Sequence, residues 1–111
     1  MSVTGVIQNA LAPVTVPTAL HFYSGSATTY VIYFEVVDRP NIHTDNKLQN
    51  TLSNVQVSVY SKSNYNALVS QVKELMAEAE FLFTGGIPGY ETDTGYYYYH
   101  LTYNYSMKLS D

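Results

Sequence analysis

Tyr96-Tyr97-Tyr98-Tyr99-His100-Leu101-Thr102-Tyr103-Asn104-Tyr105 places six tyrosines in ten positions near the end of a chain of 111 residues. A β-strand points successive side chains to opposite faces. Tyr97, Tyr99, Leu101, Tyr103, Tyr105 and then Met107 therefore share one side and read as core. Tyr96, Tyr98, His100, Thr102, Asn104, Ser106 and Lys108 share the other, a polar face with two large rings at one end. A lone small domain has little reason to display such rings. The strand predicts a partner on both sides, as in a subunit of an assembly.

Working outward, the rest of the chain supplies the elements that this strand needs. The spacing of Val3, Val6, Ile7, Ala10 and Leu11 predicts a short helix over Thr4 to Ala12, ended by Pro13 and Pro17. Ala19 to Tyr23 reads as a short edge strand before the Ser24-Gly25-Ser26 turn, with His21 on it. Thr28 to Val37 reads as a strand largely apolar on both faces, hence interior to a sheet or covered on both sides. Asp38 to Asn54 is polar and reads as a long loop, which in so small a domain tends to be functional. Leu52 to Ser61 alternates Val55, Val57 and Val59 against Gln56, Ser58 and Tyr60, which predicts a half-buried strand.

Ser63 is positioned as the N-cap of a long helix from Asn64 to about Phe83. Its stripe runs through Tyr65, Leu68, Val69, Val72, Leu75, Met76, Ala79, Leu82 and Phe83. Burial of the larger members, at about 1.5–3 kcal/mol each, makes the stripe the main predicted stabiliser. Gly85-Gly86 is expected to stop the helix, and Ile87 to Gly95 to form a turn-rich loop. The fold class is α+β, in one domain over 1–111. We expect a mostly antiparallel three- to four-stranded sheet with a short N-terminal helix and one long amphipathic helix on one face.

Composition narrows the function. Charged residues make up 13% of the chain, against about 25% in a typical soluble domain. Tyrosine, which buries a ring while keeping a polar tip, is favoured where proteins meet, and charge is depleted there. A net charge of −4 with five scattered basic residues argues against binding a nucleic-acid backbone. No apolar run approaches the ~20 residues that span a bilayer, and Met1-Ser2-Val3-Thr4 lacks a basic leader. The absence of cysteine removes disulfide and thiolate chemistry and fits synthesis in the cytosol.

No reaction chemistry is legible. His43-Thr44-Asp45 has no further ligand cluster beside it, so we expect no metal and no cofactor. The glycines of 85–89 follow a helix instead of opening one, which is the wrong order for a phosphate cradle. Glu74, Glu78 and Glu80 read as a solvated helix face, and no serine stands in a nucleophile elbow. We expect a protein that is not an enzyme.

In the order of its elements the chain resembles the tail-completion proteins of long-tailed phages, also called tail terminators or tail-to-head joining proteins. The features that carry the resemblance span nearly the whole sequence. They are the opening helix Val3–Ala12, the strands Thr29–Val37 and Val55–Lys62, the amphipathic helix from Tyr65, the Gly85-Gly86 break and the closing strand Tyr96–Tyr105. The resemblance implies a homohexameric ring at the head-proximal end of the tail, assembled in the host cytoplasm and located in the virion. Such a ring stops growth of the tail tube and joins the tail to the head connector. Its implied partners are further copies of itself, the tail tube protein and a head-completion or connector protein. No membrane and no sequence-specific nucleic acid is implied, although DNA passes through such rings. Tyr96, Tyr98 and His100 are the expected contact residues on the strand. Arg39, His43, Asp45 and Lys47 of the polar loop are expected to face the lumen or the axial partner. Two other readings stand beside this one: a head-closure or adaptor protein of the phage neck, and a small-ligand-binding α+β domain that uses the tyrosine face.

Overall fold

The computed structural model describes residues 2–40 and 50–108. Helix α1 (Val3–Ala10) begins at Ser2, whose Oγ accepts a hydrogen bond from the Gly5 N–H at 3.1 Å and so satisfies one free amide of the first turn. Strand β1 (Thr18–Leu20) is followed by β2 (Thr29–Pro40) and β3 (Asn50–Ser61), and then by helix α2 (Asn66–Glu78). Strands β4 (Leu82–Glu91) and β5 (Tyr96–Lys108) complete the chain. The sheet order is β1-β2-β3-β5-β4.

The fold is α+β, as the sequence predicts, but the sheet is five-stranded and mixed, because β1 runs parallel to β2. Both helices cover one face. Val3, Ile7 and Leu11 from α1 and Val69, Val72 and Met76 from α2 meet Val31 and Tyr33 of β2, Val55, Val57 and Val59 of β3, and Leu101 and Tyr103 of β5. The core valines of β3 lie in the middle of the sheet, where a branched side chain packs on the pleat from both neighbours.

The long helix predicted to Phe83 ends instead at Glu78. Its C-terminus is a Schellman motif: the Phe81 N–H donates to the Met76 carbonyl and the Glu80 N–H to the Ala77 carbonyl. Glu80 takes the left-handed conformation, φ +69°, that this motif normally gives to glycine. The helical spacing of Leu82 and Phe83 runs on past this stop by coincidence, and both side chains are exposed. Phe81, buried at the end of the core, is the residue that anchors the turn.

Several other boundaries move for similar reasons. Ser63 is not the cap of α2; Tyr65 occupies that position without a side-chain hydrogen bond, while the Asn66 N–H donates to Asn64 Oδ1. Gly85 and Gly86 lie inside β4, paired with Thr102 and Leu101, so the expected turn-rich loop is largely an edge strand. Pro88 is tolerated there because, among the described residues, β4 has a neighbouring strand on one side alone. Both ends of the stretch 38–54, expected as a loop, are strand: β2 continues to Pro40 and β3 starts at Asn50. His21 follows β1 in a left-handed bend, φ +68°, instead of lying on the strand. Among the described residues no helix is long and apolar enough to cross a membrane.

Candidate functional site

The face of the sheet turned away from the helices is where the aromatic excess collects. Register decides its composition. Tyr30 of β2 lies opposite Tyr60 of β3, Tyr60 opposite Tyr98 of β5, and Tyr98 opposite Gly89 of β4. The next row is Ile32, Ser58, His100 and Ile87. Side chains of one parity therefore stand on this face as an array with few charges.

The rings pack on one another across the strands. Tyr23 stacks on Tyr30 with centroids 4.6 Å apart, and Tyr30 on Tyr60 at 5.2 Å. Tyr96 meets Tyr30 and Tyr60 edge-on. Tyr98 stacks on His100 at 4.4 Å, and His100 presents an edge to Tyr60. Each such pair adds about 0.5–1.5 kcal/mol beyond burial. The array is closed at one side by the loop after β1, where the Ala27 N–H donates to Tyr23 Oη at 3.0 Å. At another rim Lys62 Nζ lies 5.0 Å from the centre of the Tyr96 ring, within cation–π range.

Beside the rings runs a short polar chain. Gln56 Nε2 donates to Ser58 Oγ at 2.9 Å, and Ser58 Oγ lies 2.8 Å from His100 Nδ1. Ser58 is only 1% exposed. Burial lowers the His100 pKa below its ordinary value, against the opposing pull of the Glu91 carboxylate. Burial also raises the hydroxyl pKa of Tyr30, aided by the neighbouring Tyr96, Tyr60, Glu91 and Tyr23, and that of Tyr60, aided by Glu91 and Tyr98. Burial thus favours the uncharged forms of His100, Tyr30 and Tyr60.

The structure brings Tyr96, Tyr98 and His100 together, on the face that the alternation assigns to them. All three are half-buried by their own neighbours, so the rings need no second copy to escape water. Arg39 lies elsewhere. It sits in β2 opposite Leu52, which pairs with Ser106, towards the end of the sheet remote from Tyr96. His43, Asp45 and Lys47 lie outside the described residues. On the helix side, Tyr99 and Tyr105 pack against the core, whereas Tyr97, expected in the core, is 48% exposed and meets Tyr90 of the edge strand with its ring tilted. The side chain of Met107 is not among those described.

Sequence reasoning missed Tyr23, Tyr30 and Tyr60 as members of the face. The signal was present for two of them: Tyr30 and Tyr60 hold the phase opposite to the core valines of their strands. A cleft of about 460 Å³ opens at the start of α2, lined by Lys62, Ser63, Asn64, Tyr65, Asn66 and Tyr97. It gathers one cation and no carboxylate or imidazole, and it adjoins the helix-covered side. Among the described residues no three His, Asp or Glu side chains converge to hold a metal ion.

No protein-family model matches the sequence, and no curated protein matches it. Among solved structures, the fold is similar to that of a chain in the virion of a native gene transfer agent particle. The superposition has a TM-score of 0.55 and covers 89% of this chain and 84% of that one, at 14% sequence identity. At that identity the likeness is one of fold.

Proposed function

We propose that this chain is a structural virion protein of a long-tailed phage or phage-like particle. In this reading it forms a ring, a homohexamer, at the head-proximal end of the tail. There it ends growth of the tail tube and joins the tail to the head connector. The role is mechanical, with no catalysis and no cofactor. Its partners are its own copies, the tube protein and a head-side connector, and its site is the virion.

One observation carries the reading: the fold shared, over most of both chains, with a component of a gene transfer agent virion. The open sheet face supports it. A cap holds a repeating tube through many copies of a modest contact, so affinity comes from multivalency and the individual patch can be flat. Tyrosine serves such a patch well because it offers contact area with little side-chain entropy to lose. Here that entropy is already spent in the ring-on-ring packing of Tyr23, Tyr30, Tyr60, Tyr96 and Tyr98.

The test is genetic, read by electron microscopy. Deletion of the gene from its phage or prophage should leave unjoined heads and tails of irregular length. Infectious, joined particles in the deletion strain would end the proposal. Normal-length free tails beside leaking heads would instead assign the chain to the head-side adaptor.

A further inference from the structure

We propose that His100 is an acid-sensitive latch for the tyrosine face, holding the ring array in register when neutral and loosening it when protonated. The argument starts from the direction of the polar chain. Gln56 reaches Ser58 through its amide nitrogen, which can only donate, so Ser58 Oγ is the acceptor there. The single Ser58 proton is then directed to His100 Nδ1, 2.8 Å away. An imidazole that accepts at Nδ1 is neutral and carries its proton on Nε2.

Protonation at Nδ1 reverses that bond. Both ring nitrogens become donors, and Ser58 must turn to accept from Gln56 and His100 together. Its own proton then points away from His100, on a serine that is itself 1% exposed. A buried donor deprived of its acceptor is costly, and so is a charge formed among aromatic rings with few compensating groups. The strain falls on the contact most directly tied to the imidazole, the stacked Tyr98 ring at 4.4 Å, and through it on Tyr60.

The surroundings favour the neutral form. From β3 the imidazole meets Ser58 and Tyr60, and from its own strand Tyr98; Ile87 is the register partner of His100 on β4. Burial raises the Tyr60 hydroxyl pKa above its ordinary value, so that neighbour brings no charge to the imidazole. Among the described residues Glu91 of β4 is the anion acting on it, and its Oε1 already accepts a hydrogen bond from Thr94 Oγ1 at 2.8 Å. Desolvation outweighs that anion, since the net shift is downward. Together with the reading of this face as a contact surface, on which this consequence rests, the latch makes the surface competent at neutral pH and released in acid.

The test uses the isolated protein and so does not depend on the virion assignment. His100 is titrated by proton NMR, with His100→Asn identifying its resonance, while near-ultraviolet circular dichroism follows the tyrosines. We expect a His100 midpoint below the ordinary 6.5, a tyrosine change with the same midpoint, and far-ultraviolet dichroism unchanged through it. In Ser58→Ala the midpoint should move up and the neutral spectrum should resemble the acid one. The His100→Asn variant should lose the transition. A midpoint at or above 6.5, or a tyrosine spectrum flat through the titration, overturns the latch. If neither variant folds, the His100 resonance is assigned in the wild type through its through-space contacts with the Tyr98 and Tyr60 rings, and the wild-type titration decides.

Discussion

The ring of Tyr98 lies over Gly89 on the neighbouring edge strand, so closely that a methyl group there would fall 2.2 Å from the ring's Cζ. Tyr99 does the same on the opposite face, over Gly86, where the distance would be 2.5 Å. The edge strand is thus roofed on both faces by aromatic side chains of β5, an arrangement that repairs the weakness of glycine in a strand.

This relationship separates two glycines that look alike in the sequence. Gly89→Ala should lower stability by about 1–3 kcal/mol, because Tyr98 must leave its stack to make room. Gly85→Ala should be neutral or gain up to about 0.5 kcal/mol, since its methyl would meet only Thr102 Oγ1 at an ordinary 3.6 Å while the unfolded chain loses freedom. Urea unfolding of the two variants checks the contrast.

Glu80 invites a substitution in the opposite sense. It is exposed and held at φ +69° in the helix-ending motif. Glu80→Gly should raise the denaturation midpoint, by about 0.5–1 kcal/mol, because relief of the left-handed strain outweighs the extra freedom of the unfolded chain. Loss of stability would mean that the Glu80 side chain contributes more than its exposure suggests.

Tyr103 is 2% exposed, and its hydroxyl has no hydrogen-bond partner among the described residues. Tyr103→Phe should therefore stabilise the fold by about 1 kcal/mol, since a buried polar atom without a partner costs about that much or more. Thermal unfolding near neutral pH reads this directly.

The same hydroxyl predicts an alkaline limit. Burial pushes its pKa up to about 12, from an ordinary 10.0. Between those values the unfolded chain gives up a proton that the folded chain keeps, so stability falls as pH rises through this window. The melting temperature should drop from pH 10 upwards, and less steeply in Tyr103→Phe. Equal slopes would place the alkaline sensitivity elsewhere.

On the helix-covered face, two tyrosines that the alternation treats as equivalent should behave differently. Tyr99→Ala should cost about 2–3 kcal/mol, somewhat below a fully buried ring, because Tyr99 is half-buried against Tyr65 and roofs Gly86. Tyr97→Ala should cost less than about 1 kcal/mol, since its main ring partner is the exposed Tyr90. Equilibrium unfolding of both distinguishes them.

What the sequence made legible follows from which interactions are local. The period-2 pattern of Val55, Val57 and Val59, and of Leu101 and Tyr103, assigned both strands and the correct inward face, because alternation is a property of each strand alone. The stop of α2 was illegible because a glutamate holds the position where the usual signal is glycine. Strand β4 was hidden because three glycines and a proline read as turn, and only the roofing rings of β5 explain why they form a strand. The wider tyrosine face was hidden for a related reason. Tyr30, Tyr60 and Tyr98 become one row only when the strand order is known, and that order is set by pairings far apart in the chain.

The place of β5, between β3 and β4, bears on how the polypeptide reaches its native state. Strand β4 precedes β5 yet has no other hydrogen-bonded neighbour among the described residues, so it joins the sheet only once the later strand has docked. The hairpin of β2 and β3 can close early, as can α2. Until β5 docks, the β3 edge stays open, and that interval is when misassociation with other chains is most favoured.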